Sequence, residues 1–266
     1  MNTPISIVWN PNLSSAQANA IVTVGPPADD FSPNIIPGLA HWWRADSLLS
    51  LGVINGQGVS GWVDLVGGVL GFQPNATLRP TFVASAINNR PAVQFNSFFS
   101  TSIAQRLSLD AQISIPGDFT TFAVLKVANF SGVEAGNDWF AGSPINPGLG
   151  VRHVAAGSAY NARMRIDGGS NQNLAAFPGA DDSLPHLVTH RRSTFNGVQA
   201  FFNNGSGQGL SLDGTLTVSL LGGSSVGFSQ NISLIIAEVL HFSSALSDAD
   251  MATLYNSYFK PRYSLP

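Results

Sequence analysis

The chain of 266 residues has no cysteine and only two glutamates, Glu134 and Glu238. Without cysteine there is neither a disulfide framework nor a thiolate metal site, so the fold holds by packing and hydrogen bonding. The two glutamates lie over a hundred residues apart, so no Glu-x-Asp-x-x-Glu acid pair of the kind glycosidases carry exists on one strand. Charge is scarce as well. Charged residues make up 10% of the chain and the net charge is −3, against roughly 25% charged residues in ordinary soluble domains. Lysine and arginine are scattered, with Arg191-Arg192 as a doublet, and the missing basic stripe excludes nucleic acid as the main partner. No apolar run reaches the roughly 18 residues of a membrane span, which argues against membrane insertion. The opening residues also lack the charged and apolar regions of a secretory leader, and synthesis in the cytoplasm is the expectation.

What the chain does contain is 27 glycines, 16 prolines and 17 phenylalanines, a composition of many strands joined by turns and best fitted by an all-β sandwich. The stretch from Asn231 to Tyr263 carries the clearest pattern. Strict alternation would put Ile232, Leu234, Ile236, Glu238, Leu240 and Phe242 on one face of a strand, and Ile235, Ala237, Val239 and His241 on the other. Both faces are mainly apolar, which predicts a central strand covered on both sides. A buried Glu238 would then need a partner such as Arg44, Arg79 or Arg90, as a structural ion pair. Beyond it, Ser247 caps a helix with Asp248 and Asp250 in its first turn. Met251, Leu254, Tyr255, Tyr258 and Phe259 form one apolar stripe, and Pro261 is expected to stop the helix.

The end of this stretch, Ile236-Ala237-Glu238-Val239-Leu240-His241-Phe242 followed by Ala245-Leu246-Ser247-Asp248-Ala249-Asp250, resembles the close of LamG-like jelly-roll domains. These are relatives of the concanavalin A-like lectin and glucanase sandwiches. Further pieces resemble the family in order. They are Pro37-Gly38-Leu39-Ala40-His41-Trp42-Trp43-Arg44-Ala45-Asp46, Gly61-Trp62-Val63-Asp64, Arg79-Pro80-Thr81, Asn89-Arg90-Pro91-Ala92-Val93-Gln94-Phe95 and Asp118-Phe119-Thr120-Thr121-Phe122-Ala123-Val124-Leu125-Lys126. His186-Leu187-Val188-Thr189 with Phe195-Asn196-Gly197 suggests two strands around a tight turn. The resemblance covers about residues 37–263. It implies a two-sheet antiparallel jelly roll, concanavalin A-like, with a short C-terminal helix and an extended N-terminal arm.

The domain reading is an arm over residues 1–34 and a LamG-like jelly roll over 35–266. In the arm, Trp9 and the run containing Ile21, Val22 and Val24 are the residues expected to dock, on a neighbouring subunit or on the chain's own domain. No repeat or linker divides the remainder.

Short motifs do not point to catalysis. Gly56-Gln57-Gly58-Val59-Ser60-Gly61 matches a dinucleotide fingerprint, but no helix start follows it. Gly223-Ser224-Ser225-Val226-Gly227 matches a hydrolase elbow, but no histidine comes after His241. The five histidines lack a zinc spacing. Asp46, Asp64, Asp181 and Asp182 are the candidates for calcium, the one cofactor the family resemblance admits, with solvated turn acids as the default reading. For a recognition surface the candidates are Trp139 and Tyr160, in the stretch least like the family, with Phe99 and Phe202, because of each adjacent aromatic pair one ring enters the core and the other is left for a surface.

These observations lead to an expectation of a non-enzymatic structural protein of a virus particle, a bacteriophage capsid decoration or tail component. It would form homo-oligomers, contact other virion proteins and take up host surface glycans. The alternatives are a free carbohydrate-binding lectin and, third, a polysaccharide-degrading enzyme.

Overall fold

The computed structural model describes residues 31–98, 103–131, 135–142, 148–153, 160–165, 172–177, 184–205, 207–210, 214–224 and 231–266, and its compact unit runs from Phe31 to Pro266. Trp9, Ile21, Val22 and Val24 lie outside the described residues. The strands in order are β1 (Leu39–Arg44), β2 (Gly61–Val63), β3 (Leu70–Phe72), β4 (Thr81–Ile87), β5 (Arg90–Phe98), β6 (Ile103–Ala104), β7 (Leu107–Ile115) and β8 (Phe119–Ser131). They continue as β9 (Ala135–Ala141), β10 (Gly148–His153), β11 (Tyr160–Arg165), β12 (Gln172–Phe177), β13 (His186–Ser193), β14 (Gly197–Phe202), β15 (Gln208–Leu210), β16 (Leu216–Ser224) and β17 (Asn231–Phe242).

Among the described residues these strands form two antiparallel sheets. The first runs β15-β14-β13-β8-β17-β5-β4, with β1 added beside β17 and β6 beside β5; the second runs β12-β11-β10-β9-β16-β7-β3-β2. Trp43, Phe82, Phe95, Phe119 and Val188 from the first sheet pack against Trp62, Leu107, Trp139, Phe140 and Leu221 from the second, forming the sandwich core. The architecture is the expected all-β jelly-roll sandwich.

Strand β17 is central, as its doubly apolar pattern predicts. It pairs with β8 along its length, and on its other side with β5 and then β1. Strict alternation fails at one place. The register against β8 shifts between Ile236 and Glu238, so one extra residue reverses the facing of everything after it. Leu234, Ile236 and Val239 therefore enter the sandwich core, while Ile235, Ala237, Leu240 and Phe242 join a second core on the outer face. Glu238 faces outward with the latter group, where the tyrosines of the C-terminal helix meet it.

After the single short turn α1 (Ser47–Ser50), the next α-helix is α2 (Asp248–Leu254); it runs through a π-helical turn, Tyr255–Phe259, into α3 (Lys260–Tyr263). Ser247 caps it, accepting from the Asp250 amide at 3.1 Å and donating to the Asp250 carboxylate at 2.7 Å, a reciprocal arrangement that satisfies an orphan donor. Met251, Leu254, Tyr255, Tyr258 and Phe259 are all buried in the outer core, each contributing roughly 1.5–3 kcal/mol. Pro261 does not stop the helix. It lies within α3, directly after the π turn, whose wider backbone accommodates a residue with no amide to donate and a ring that crowds the preceding turn. The end falls at Ser264, in the left-handed region at φ 51°.

The basic doublet serves both layers, since neighbours on β13 point to opposite faces. Arg191 reaches the carbonyl of Leu246 at 2.9 Å and Asp248 at 2.6 Å, fixing the start of the helix. Arg192 turns the other way, over the ring of Phe119.

Candidate functional site

The tip of the β13–β14 hairpin carries the most exposed large apolar side chain among the described residues: Phe195, at 96% exposure. Three residues, Thr194-Phe195-Asn196, make the turn, and Gly197 closes it at φ 65°, a conformation that glycine adopts without strain. The Ser193 hydroxyl accepts from the amides of Phe195 and Asn196 at 3.2 and 3.1 Å. Asp118, just before β8, accepts from both the amide and the hydroxyl of Thr194 at 2.8 Å through the same oxygen, Oδ1. The turn is thus tied to the neighbouring strand, and the ring is held out into solvent.

Between this tip and the Pro116–Asp118 segment lies a cleft of about 420 Å³. Arg192 forms part of its wall, with Nε donating to the Gly117 carbonyl at 2.8 Å, Nη2 to the Gly117 and Ile115 carbonyls, and Nη1 to that of Gly214. The cleft is lined by the aromatic Phe195, by Asp118 and by the exposed Asn196. A small concave site with one apolar platform and a few placed polar groups is suited to binding a polar small molecule.

A second polar assembly lies under the helix and is sealed from solvent. Glu238 is fully buried. It accepts from Tyr258 at 2.7 Å, from Tyr263 at 2.5 Å and from the Trp42 indole, and Arg262 Nε stands 3.8 Å from Oε2. Burial pushes its pKa up to about 7, against the opposing pull of the hydrogen bonds from Tyr263, Tyr258 and Trp42. Burial and the neighbouring Glu238 together raise both tyrosines well above their ordinary range. The expected direct partners Arg44, Arg79 and Arg90 are replaced by Arg262 and three neutral donors. Arg79 donates to the carbonyls of Gln73 and Pro74, Arg90 to that of Arg262, while Arg44 pairs with Asp46 at 2.5 Å and adds only a more distant attraction.

Of the calcium candidates, Asp46 and Asp64 are engaged elsewhere. Asp46 bridges Arg44 and Arg262. Asp64 is buried and accepts from His41 Nδ1 at 2.7 Å and from the amides of Trp42 and Val66 at 2.7 and 3.0 Å. Burial alone would raise its pKa, but these bonds and one from the Gly67 amide hold it below the usual carboxylate range. Asp181 and Asp182 lie outside the described residues. Among the described residues no group of three or more metal-ligating side chains comes together. His241 is buried, bonded to Thr121 at 2.8 Å, and burial pushes its pKa down to about 3.

Of the aromatic candidates, Trp139 is fully buried, its ring 5.1 Å from that of His190. It is a core residue and not a recognition surface, because β9 is an interior strand of the second sheet and turns this position inward. Phe202 is half-buried, packed against the sandwich core and 4.4 Å from the His186 ring. Tyr160 opens β11, paired with His153 and Phe177, and its side chain, like all of Phe99, lies outside the described residues. Among the described residues, none of the expected ones lines the hairpin-tip cleft. What sequence reading missed was Phe195 and Asp118. The available signal was a bulky aromatic in the middle of a tight turn, where small polar residues are the rule.

No family model matches the chain, and no curated protein matches it either. Solved structures do. The binding domain of botulinum neurotoxin DC in complex with SialylT aligns with a TM-score of 0.52 at 12% identity, covering 77% of this chain and 51% of that one. A structure of botulinum neurotoxin type C aligns at 0.51 and 12% identity, covering 77% and 50%. The neurotoxin DC binding domain in complex with rat synaptotagmin II aligns at 0.50 and 12% identity, covering 77% and 51%. The chain thus spans about half the length of the structures it matches, and at this identity the likeness is one of fold.

Proposed function

We propose that this chain is a non-enzymatic glycan-binding module built on a LamG-like jelly roll, and that it serves as a structural protein of a virus particle. The observation that carries the binding reading is Phe195, held 96% exposed at the rim of a cleft that also offers Asp118 and Asn196. An aromatic ring left in water by a chain that buries most of its others fits a platform for the apolar face of a sugar. The fold neighbours give support of the same kind: the neurotoxin DC binding domain was solved in complex with SialylT, and the type C toxin depends on interaction with two ganglioside molecules.

The non-enzymatic reading draws on the carboxylates. Glu238 is sealed under the helix, Asp46 and Asp64 are engaged by arginine, histidine and amides, and among the described residues Asp118 is the one acid lining the cleft. Hydrolysis of a glycosidic bond by the common routes calls for two. The particle reading draws on low charge, absence of cysteine and the Asn-, Ser-, Ala- and Pro-rich residues 1–34 ahead of a lectin-like sandwich, an arrangement suited to subunit contacts through an arm.

A glycan array probed with the full chain, with and without a calcium chelator, tests the binding reading. The expected result is binding to at least one glycan class that is lost in F195A; no binding to any glycan contradicts it. Light scattering on the full chain and on a variant lacking residues 1–34 tests assembly. The expected result is an oligomer that the deletion weakens, and a monomer in both cases contradicts the arm's role.

A further inference from the structure

We infer that the hairpin-tip cleft selects neutral sugars bearing a vicinal pair of hydroxyls and disfavours acidic sugars, sialylated ones included. This rests on the glycan-binding reading and adds the chemical class of the ligand. The inference follows from where each polar group of the cleft is already committed.

Asp118 uses Oδ1 for both bonds to Thr194, which fixes the carboxylate and leaves Oδ2 to accept from a ligand hydroxyl. A hydroxyl donating to a carboxylate makes a short, charge-assisted bond. Asn196 lines the same cleft, exposed, with its backbone amide taken by Ser193. A side-chain amide both donates and accepts, so it matches the second hydroxyl of a neighbouring pair. Phe195 then supplies the surface against which the C–H face of the ring stacks.

Recognition of an anion would need a cation aimed into the cleft. Among the described residues Arg192 is the one cationic side chain lining it. All three of its guanidinium nitrogens donate to main-chain carbonyls, of Gly117, Gly214 and Ile115, and its plane lies over Phe119 in the interior. A fork spent in this way braces the wall and leaves no bidentate face for a ligand carboxylate. A sialic acid would instead bring its own negative charge toward Asp118, and like charges at close range repel.

The test is an array of neutral oligosaccharides printed beside the same glycans capped with sialic acid, probed with the full-length wild type, F195A, F195W and D118N. Circular dichroism checks that each variant is folded. The expected result is binding to neutral glycans, a signal roughly tenfold lower on the capped forms, a loss of roughly tenfold or more in F195A and D118N, and retention in F195W. D118N has a second expected effect: its discrimination against the capped forms shrinks. Equal or stronger Phe195-dependent binding to the sialylated forms would overturn the neutral-sugar inference and leave the glycan-binding reading standing. Binding to no glycan, or binding that F195A does not change, would overturn the site itself.

Discussion

Tyr263 donates its hydroxyl to Oε2 of Glu238 at 2.5 Å, tying the last turn of the chain's final helix to the middle of its central strand. Tyr258, one helical turn earlier, donates to the other oxygen at 2.7 Å. The bulge between Ile236 and Glu238 makes this meeting happen, because without it the carboxylate would sit in the dry sandwich core. One irregular residue in the ladder thus sets how the helix docks.

Replacing Glu238 with alanine should therefore be severe. Two phenols and an indole would lose their acceptor in a buried site, and Arg262 an ion-pair partner, and breaking such a network costs about 3–5 kcal/mol. E238Q keeps the shape and one acceptor oxygen, and should cost less, about 1–3 kcal/mol. Urea unfolding of the two variants measures the difference; equal costs would show that only volume matters here.

The pH dependence of stability should contain two opposing contributions. Glu238 has a folded pKa raised from 4.5 to about 7, so its contribution is greatest below pH 4.5 and is lost as pH rises toward 7. His241 is lowered from 6.5 to about 3, so its contribution is present above pH 6.5 and is lost as pH falls toward 3. Between about pH 4.5 and 6.5 the folded and unfolded chains bind the same number of protons at these two sites, and their slopes cancel. H241N should uncover a stability that falls by roughly 1 kcal/mol per pH unit across that window, and E238Q one that rises by a similar amount. Denaturant midpoints from pH 4.5 to 6.5 check this; parallel profiles for both variants would contradict it.

Gly222 stands at φ 68° on β16, with space for a Cβ only 2.2 Å from the Phe95 ring. G222A should lower stability by about 2–4 kcal/mol through backbone strain and displacement of Phe95. G52A is the contrast: φ is 77° there too, but nothing lies within 4 Å, and the cost should stay near 1 kcal/mol. Thermal unfolding of the two separates steric closeness from dihedral strain.

Trp139 belongs to the core and Phe195 to the surface. W139F should cost about 1–3 kcal/mol by leaving a void and should leave glycan affinity unchanged in the folded protein. F195A should do the reverse, with stability unaltered within about 0.5 kcal/mol. Calorimetric titration and denaturation of both variants check the crossed pattern.

Much of this was legible in the sequence. Period-two runs, Gly- and Asn-marked turns and the Ser247 cap give the sandwich and the helix directly, because each depends on local spacing. The Asn88-Asn89 turn, with φ of 47° and 58°, is a two-residue hairpin connection readable from residue type. The bulge in β17 was not legible, since nothing in Ile236-Ala237-Glu238 marks the extra residue; the shift shows only against β8. Pro261 misled for a related reason: a π turn just upstream relieves the clash that would have ended the helix. The site was hidden because Asp118 and Phe195 are distant in the chain and meet only when β8 and β13 pair.

A ligand held at the β13–β14 tip would shield the amides there from solvent. Amide hydrogen exchange of the full chain with and without a saturating neutral oligosaccharide that it binds tests this most directly. Added protection is expected at Gly117, Asp118 and residues 192–197, with little elsewhere. Protection confined to other segments, with these two unchanged, would contradict it.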